Sequence, residues 1–312
     1  MSDSTPEPSA AASLTDRPAR PQRGRFRPRT WLIGGGVIVV LVVALVLALS
    51  LRSNGGKYSA SDKPLRVFAS VTPHTDILKY VNDHLANGKF TLKIIEETDN
   101  VDGNDVVEHG DADANYFQHV PYFNSDTADK GYKDLKIVAS VHIEPYGIYS
   151  STVKNLSDVP HGGLVLLSNN TSNFARGLYL LQAAGLIKLD HAQGDTSPGA
   201  FAITEKNIVD NPHHLTFKQV DPAQIPRSLP DAALGLINGN VALEAGLTPA
   251  KDALFLESGT NNPYANVLVV PTKLADDPRV KALAQILTGP QVADYITQHY
   301  PGSVLPVNKG SN

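Results

Sequence analysis

The chain has no cysteine, and it has one methionine and one tryptophan among 312 residues. Without cysteine, disulfide bonds, thiolate metal sites and cysteine nucleophiles are excluded. The same absence excludes a lipid anchor attached to a cysteine side chain. Any attachment to a membrane must therefore use other chemistry.

Signatures of common enzyme classes are also missing. The chain has no serine nucleophile elbow, no P-loop and no GxGxxG loop. Asp111 and Asp113 alternate along a predicted strand and so share a face, but they lack a partner of the hydrolase type. None of the ten histidines shows the i, i+4 or HExxH spacing of a metal-binding helix. The sequence therefore predicts no enzyme, no metal site and no cofactor.

One uncharged run is long enough to cross a membrane. Residues 31–51 are 21 residues without a charge, which as a helix span about 31 Å, against a hydrocarbon core of roughly 30 Å. Six arginines precede the run: Arg17, Arg20, Arg23, Arg25, Arg27 and Arg29. Because basic residues stay on the cytoplasmic side, we expect a single-pass anchor in the cell membrane with a cytoplasmic N-terminus. The alternative is a cleaved signal peptide, whose apolar core is usually about 7–15 residues.

Composition changes on the two sides of this run. Residues 1–30 are rich in proline, serine, alanine and arginine, which predicts a disordered segment, and residues 52–63 read as a flexible linker. Residues 1–62 contain eight of the 27 Lys and Arg and four of the 31 Asp and Glu. The remaining chain is therefore acidic, and we expect residues 64–312 to be an extracytoplasmic domain that does not bind nucleic acid.

Strand and helix patterns alternate along this exported domain. Buried strand patterns at residues 65–71, 164–168 and 234–237 are each followed by a helical pattern. Such alternation predicts an α/β fold with mostly parallel sheets flanked by helices. The return of a strand pattern near residue 266 suggests two lobes, the first comprising about residues 64–145 and 264–312 and the second about residues 146–263.

Residues 110–122 contain two acids, an asparagine, three aromatic residues and a histidine. They read as a short strand that runs into a helix start, and strand ends are where open α/β sheets place their ligands. Phe117, His119 and Tyr122 could form an aromatic wall with one polar edge, suited to a thioether. Core packing explains Phe117 and Tyr122 equally well.

Three further polar residues are candidates for binding a small amino acid. Arg176 follows a polar turn at the start of a helix, where a guanidinium and free backbone donors could hold a carboxylate. Asn238 directly follows an apolar strand pattern, and Asn266 begins another. The alternatives are a surface arginine and asparagines that cap the next helix.

Several segments together resemble the MetQ/NlpA family of methionine-binding proteins that serve ABC importers. They are GDADANYFQHVPYFN, NNTSNFARGLYLLQAAGLIKL, the stretch at 208–238 containing IPRSL, GLTPAKDALFLE with NPYANVLVV, and VTPHTDIL near residue 71. The resemblance covers nearly all of residues 64–312. It implies a two-lobed periplasmic-binding-protein fold that closes over its ligand by hinge motion.

The resemblance also implies roles for the candidate residues. Arg176 would hold the ligand carboxylate, Asn238 and Asn266 would bind its amino and carboxylate groups, and Phe117, His119 and Tyr122 would form the side-chain wall. Supporting positions would be Asn100, Asn170 and Asn173. Asn100 stands where family members usually have a tyrosine.

The implied function is delivery of methionine, L or D, to an ABC permease and ATPase complex. The alternatives are a methionine-containing dipeptide or another small amino acid as ligand, and a metal-binding importer component. Family members commonly carry a lipidated cysteine, whereas in this chain the apolar run at residues 31–51 takes that place.

Overall fold

The computed structural model describes residues 63–98, 101–197 and 199–308. The predicted disordered segment, the predicted anchor at residues 31–51 and Asn100 lie outside these ranges. Within them, no helix combines the length and apolar character needed to span a bilayer.

The secondary structure falls into three stretches of chain. The first contains β1 (Leu65–Ala69), α1 (Asp76–Tyr80), β2 (Leu92–Glu96), α2 (Gly103–Glu108), β3 (Ala114–His119), α3 (Val120–Lys130) and β4 (Leu135–Ile143). The second contains β5 (Gly147–Tyr149), β6 (Leu164–Ser168), α4 (Thr171–Ala183), β7 (Lys188–Leu189), β8 (Ile208–Asp210), β9 (Thr216–Val220), α5 (Ile225–Ser228), β10 (Leu234–Ile237), α6 (Gly239–Glu244), α7 (Pro249–Asp252) and β11 (Phe255–Leu256). The third contains β12 (Ala265–Pro271), α8 (Pro278–Leu287), α9 (Pro290–His299) and β13 (Leu305–Pro306).

These stretches build two lobes around two sheets. The first and third stretches form a six-stranded sheet in the order β13-β4-β12-β3-β1-β2, and the second forms a five-stranded sheet in the order β11-β5-β10-β6-β9. β7 and β8 form a separate pair. The chain therefore crosses between the lobes twice, at residues 144–146 and at residues 257–264.

Both large sheets are mixed, which corrects the expectation of mostly parallel sheets. β1 runs parallel to β2 and β3, but β12 is antiparallel to both β3 and β4. In the second sheet β6 is parallel to β9 and β10, but β5 is antiparallel to β10 and β11. The antiparallel strands are those next to the two crossings, and apolar periodicity carries no information about strand direction.

Each lobe has its own apolar core. In the second lobe, α4 packs on β6 and β10, and every residue from 172 to 181 is buried. Gly177 makes this approach possible, because a Cβ atom there would lie 2.4 Å from Cδ2 of Leu167 and 3.1 Å from Cδ2 of Leu236. The close packing fixes the position of α4, whose first two turns carry Asn173 and Arg176.

Candidate ligand-binding site

A cleft of about 580 Å³ lies between the lobes and is lined by residues from both. All six residues predicted to bind ligand line it: Phe117, His119, Tyr122, Arg176, Asn238 and Asn266. The predicted supporting residues Asn170 and Asn173 line it as well. The fold therefore brings together side chains that are up to 149 positions apart in the sequence.

Three neighbouring strands supply the first-lobe side of the cleft. Asn266 on β12 lies in register with His119 on β3 and with His142 on β4. Asn266 and His119 are each only 5% exposed, so their polar atoms depend on protein or ligand partners rather than on bulk water. Asn266 lies within β12, not at a helix cap.

Two helix starts supply the second-lobe side. The side chain of Asn170 caps α4 by accepting from the backbone N–H of Asn173 at 3.1 Å. Asn238 occupies the corresponding position before α6, but its side chain makes no capping hydrogen bond. Instead its Nδ2 donates to Oδ1 of Asn173 at 3.1 Å. Asn238 is thus turned towards the cleft.

A chain of hydrogen bonds fixes the orientation of these groups. The backbone N–H of Tyr122 donates to Nδ1 of His119 at 3.1 Å, so this nitrogen carries no proton. Burial, followed by the nearby charge of Arg176, lowers the pKa of His119 to about 3, so the ring is neutral at pH 7. Its proton is therefore on Nε2, which donates to Oδ1 of Asn173 at 2.9 Å.

The same series of hydrogen bonds leaves the side-chain oxygen of Asn238 without a donor. Because Nε2 of His119 donates, the amide atom of Asn173 that faces it is the oxygen Oδ1. This oxygen can only accept, so Asn238 meets it with its amide nitrogen Nδ2 and not with its oxygen. Oδ1 of Asn238 is buried and has no hydrogen-bond partner among the described residues. A buried acceptor without a partner costs about 1–3 kcal/mol. Asn238 is one of the residues that line the cleft.

Arg176 differs from its expected arrangement. Its Nε and Nη2 donate to the two carboxylate oxygens of Glu257 at 3.0 and 2.6 Å, and Nη2 also donates to the carbonyl oxygen of Glu144 at 2.8 Å. The guanidinium lies over the rings of Tyr264 and Tyr146, at 4.2 and 5.1 Å from their centroids. The guanidinium was expected to hold a ligand carboxylate, but its Nε–Nη2 edge faces a carboxylate of the protein. Glu257 occupies that edge. Of the three guanidinium nitrogens of Arg176, only Nη1 has no acceptor among the described residues.

Phe117 and Tyr122, two aromatic residues of the predicted wall, line the cleft next to each other. The rings of Phe117 and Tyr122 meet edge to face, with centroids 5.8 Å apart. Phe117 also packs against Phe68 of the core, as the core-packing alternative expected, so both alternatives remain open for this residue. The hydroxyl of Tyr122 donates to Asp102 at 3.4 Å. The wall therefore presents ring carbons to the cleft.

Two of the four acids that line the cleft, Glu97 and Glu244, come from opposite lobes. Glu97 follows β2, and Glu244 ends α6. Partial burial, with the charges of Glu97 and Glu144, raises the pKa of Glu244 to about 7. Burial also raises the pKa of Glu97, although its hydrogen bond from Ser70 opposes the shift. This end of the cleft is suited to a hydrogen-bond donor or a cationic group.

One group of metal-competent side chains was found in the described part of the chain. His74, His142 and Glu144 are buried, with one candidate ligand atom of each within 4.8 Å of the others. These atoms already take part in hydrogen bonds to one another, to Asn266 and to the backbone of Asn240. The group forms a hydrogen-bond network in which Nδ1 of His74 has no partner among the described residues, and it lies next to Asn266.

The residues that hold the cleft-lining side chains in place were not predicted from the sequence. Glu144 and Glu257 lie at the two crossings. The only local sign of their role in the sequence is that each acid directly follows an apolar strand. His74 lies in VTPHTDIL, which supported the family resemblance, but its spacing gave no reason to place it next to Asn266. These contacts depend on the strand order, which periodicity does not provide.

A two-lobed α/β fold with a polar cleft at two chain crossings defines a protein of the periplasmic-binding class. The family model for the NlpA lipoproteins matches residues 65–308. The chain belongs to this family, and the resemblance seen in the sequence is confirmed.

The relatives are similar along most of their length. The methionine-binding lipoprotein MetQ of Bacillus subtilis is 36% identical over 273 residues, covering 87% of this chain and 97% of the relative. The D-methionine-binding lipoprotein MetQ of Escherichia coli is 34% identical over 229 residues, covering 72% and 82%. The structure of a nutrient-binding protein from Burkholderia cenocepacia bound to methionine has a TM-score of 0.72 and 36% identity, covering 78% of this chain and 99% of that protein.

Proposed function

We propose that this protein is the extracytoplasmic substrate-binding component of an ABC importer, and that it binds methionine between its lobes. The carrying observation is the buried, unpartnered Oδ1 of Asn238 in a cleft whose opposite wall offers donors. The relatives from Bacillus and Escherichia are named for methionine binding, and the Burkholderia protein was solved with methionine. Binding and delivery to the permease and ATPase, without chemical conversion, is the proposed activity.

In this proposal the ligand lies as a zwitterion across the cleft. Its ammonium donates to Oδ1 of Asn238, a buried acceptor without a partner among the described residues. Its carboxylate accepts from Nη1 of Arg176 and from the amide of Asn266. Its thioether side chain packs on the rings of Phe117 and Tyr122. Each ligand group then meets a protein group of matching chemistry.

Calorimetry of the purified full-length chain tests the ligand. We expect L- or D-methionine to bind more tightly than leucine or glutamine, because a sulfur atom is more polarizable than the groups that replace it. Heats of binding for other amino acids, with none for either methionine enantiomer or for glycyl-methionine, would contradict the proposal.

A methionine-containing dipeptide is the second candidate ligand. The observation that favours it is the acidic pair Glu97 and Glu244, which lines the cleft in addition to the groups assigned above to methionine. A dipeptide ammonium could reach these acids. Glycyl-methionine binding at least about tenfold more tightly than methionine, equivalent to 1.4 kcal/mol, would select this candidate.

We further propose that residues 31–51 hold the binding domain at the cell membrane as an uncleaved single-pass helix. The relatives are named lipoproteins, but this chain has no cysteine to carry a lipid. Tethering near the permease raises the effective concentration of the binding domain there. N-terminal sequencing and carbonate extraction test the anchor. An N-terminus near residues 49–53 on a soluble protein would indicate a cleaved signal peptide instead.

A further inference from the structure

A buried polar network lies next to Asn266, and one of its members, Glu144, also lines the cleft. His74 and His142 are fully buried, and Glu144 is 5% exposed. Nε2 of His142 lies 2.7 Å from Oε1 of Glu144, and the hydroxyl of Tyr116 contacts Nδ1 of the same ring. None of these residues was assigned a role by the proposed binding mode.

The contacts fix the proton on His142. A bare Nε2 would place its lone pair against the carboxylate oxygen of Glu144, so Nε2 carries the proton and donates it. Nδ1 then accepts from the hydroxyl of Tyr116. Burial alone would raise the pKa of Glu144, but His74 and the hydrogen bond from His142 outweigh it and hold that pKa at about 2. The carboxylate is therefore ionised.

The same argument fixes His74. Its Nε2 faces two oxygens, Oδ1 of Asn266 at 3.1 Å and Oε1 of Glu144 at 3.4 Å. Only an N–H at this position avoids repulsion from both. Burial lowers the pKa of His74 to about 4, so the ring is neutral and Nδ1 is bare, which agrees with its having no partner among the described residues.

We infer that His74 is a positioning residue that sets which face of the Asn266 amide meets the ligand. By donating to Oδ1 of Asn266, His74 turns that oxygen inward and leaves Nδ2, with its two N–H groups, facing the cleft. Asn266 thereby becomes a donor that recognises a carboxylate. This inference rests on the proposed function, because it assumes an amino acid in the cleft.

The network also reaches the other wall of the cleft. Oε2 of Glu144 accepts from the backbone N–H of Asn240 at 2.8 Å, two residues after Asn238. A Cβ atom on Gly239 would lie 2.7 Å from Cβ of Glu144, so this residue allows α6 to approach. Glu144 thus connects the donor side of the site, through His74, with the acceptor side on α6.

The test compares methionine with methioninamide, which keeps the ammonium and side chain but lacks the carboxylate. Affinities are measured by calorimetry on the full-length chain in detergent, for the parent, His74→Gln, His74→Asn and His74→Phe. The side-chain amide nitrogen of glutamine lies near the position of Nε2 of histidine and can donate to Asn266. The amide nitrogen of asparagine reaches only the position of Nδ1. We expect His74→Asn and His74→Phe to reduce the preference for methionine over methioninamide about tenfold or more, and His74→Gln to retain most of it.

Asn266→Ala supplies the control. In that background His74→Asn should leave the preference unchanged, because the group that His74 positions is gone. If His74→Asn weakens methionine and methioninamide by the same factor in the parent background, His74 acts only in packing and the inference is wrong. Failure of the parent to bind methionine would instead overturn the proposed function, and this inference with it.

A ligand-independent measurement supplements the titrations. Nitrogen-15 spectra of selectively labelled histidine should show His74 as the neutral Nε2–H tautomer at pH 7, with the His74→Gln variant used to assign the signal. The Nδ1–H tautomer would contradict the inference even if the affinities changed as expected. This readout also covers the case in which His74→Phe fails to fold.

Discussion

Arg176 joins the two segments where the chain crosses between lobes. It donates to the carbonyl oxygen of Glu144 in one crossing and to the carboxylate of Glu257 in the other, and its guanidinium is 2% exposed. Removing one partner of a buried ion pair leaves the other charge uncompensated, which costs more than the pair itself contributes. Arg176 therefore contributes to stability in addition to its proposed contact with the ligand.

Arg176→Ala should weaken methionine binding by about 2–5 kcal/mol, the usual cost of truncating one partner of a buried hydrogen-bonded charge pair. It should also lower the free energy of unfolding, because Glu257 loses its partner. Calorimetry and urea titration check the two effects. Arg227→Ala is the matched control, since Arg227 is exposed on α5 and should change neither quantity. An affinity within about threefold of the parent would place the carboxylate contact elsewhere.

The residues that line the cleft could be predicted from the sequence, whereas the residues that hold them in place could not. Arg176, Asn238 and Asn266 were selected because polar residues stood at strand ends and helix starts, and all three line the cleft. The partner of Arg176 could not be predicted, because Glu257 is 81 positions away and meets it only through the strand order. The same limit applies to His74 and Asn266, which are 192 positions apart.

At the scale of elements, the packing of α4 on the sheet depends on a glycine. Gly177 faces Leu167 of β6 and Leu236 of β10 at distances that leave no room for a methyl group. Glycine within a helix normally costs up to about 1 kcal/mol relative to alanine. Close packing of the helix on the sheet outweighs that cost, and it positions Asn173 at the cleft.

Gly177→Ala should destabilise the protein by about 1–3 kcal/mol, because overpacking exceeds the gain in helix propensity. Urea unfolding measures the change. Ala183→Ser, at an exposed position of the same helix, should stay within about 0.5 kcal/mol of the parent. If Gly177→Ala proved as stable as the parent, the close contact of α4 with the sheet would not be what fixes this helix.

Most elements of the fold could be predicted because their patterns are local. β6 and β10 have the predicted bounds, since each is a short apolar run between turn residues. α3 was recognised only as a helix start after residue 120, because its sequence has a weak apolar stripe and a single buried residue, Pro121. The short strands β7, β8 and β9 were missed, because much of their surface is exposed and lacks clear alternation.

At the scale of the whole molecule, hydrogen bonds join the lobes across the cleft. Nε2 of His119 donates to Asn173, and Glu144 accepts from the backbone of Asn240. The groups that make these bonds have shifted pKa values, because burial disfavours a charged histidine while the neighbouring N–H groups favour an ionised Glu144. Lobe contact and protonation are therefore linked.

Acid should destabilise the protein through its buried histidines. With a folded pKa of about 3 for His119 and about 4 for His74, against 6.5 when unfolded, the unfolded chain takes up protons that the folded chain does not. The free energy of unfolding should therefore fall as pH drops below 6.5, by up to about 1.4 kcal/mol per pH unit for each histidine. Glu144 adds a loss below 4.5, and Glu244, with its raised pKa, opposes the trend between pH 7 and 4.5.

His119→Asn isolates one of these contributions. Between pH 6 and 4 the slope of unfolding free energy against pH should be smaller in the variant than in the parent, by about 1.4 kcal/mol per unit. Urea titrations at several pH values give both slopes. His84→Asn, which makes the same replacement at an exposed histidine, is the control. Equal slopes for parent and His119→Asn would mean that His119 is not held neutral by the fold.

The central claim is that the cleft binds an amino acid with its ammonium at Oδ1 of Asn238, a buried acceptor that has no partner among the described residues. A crystal structure of the protein grown with methionine tests it most directly. We predict methionine between the lobes, with its nitrogen within about 3.2 Å of Oδ1 of Asn238 and its carboxylate towards Arg176 and Asn266. An empty cleft at saturating methionine, or a ligand whose side chain faces Asn238, would contradict the account.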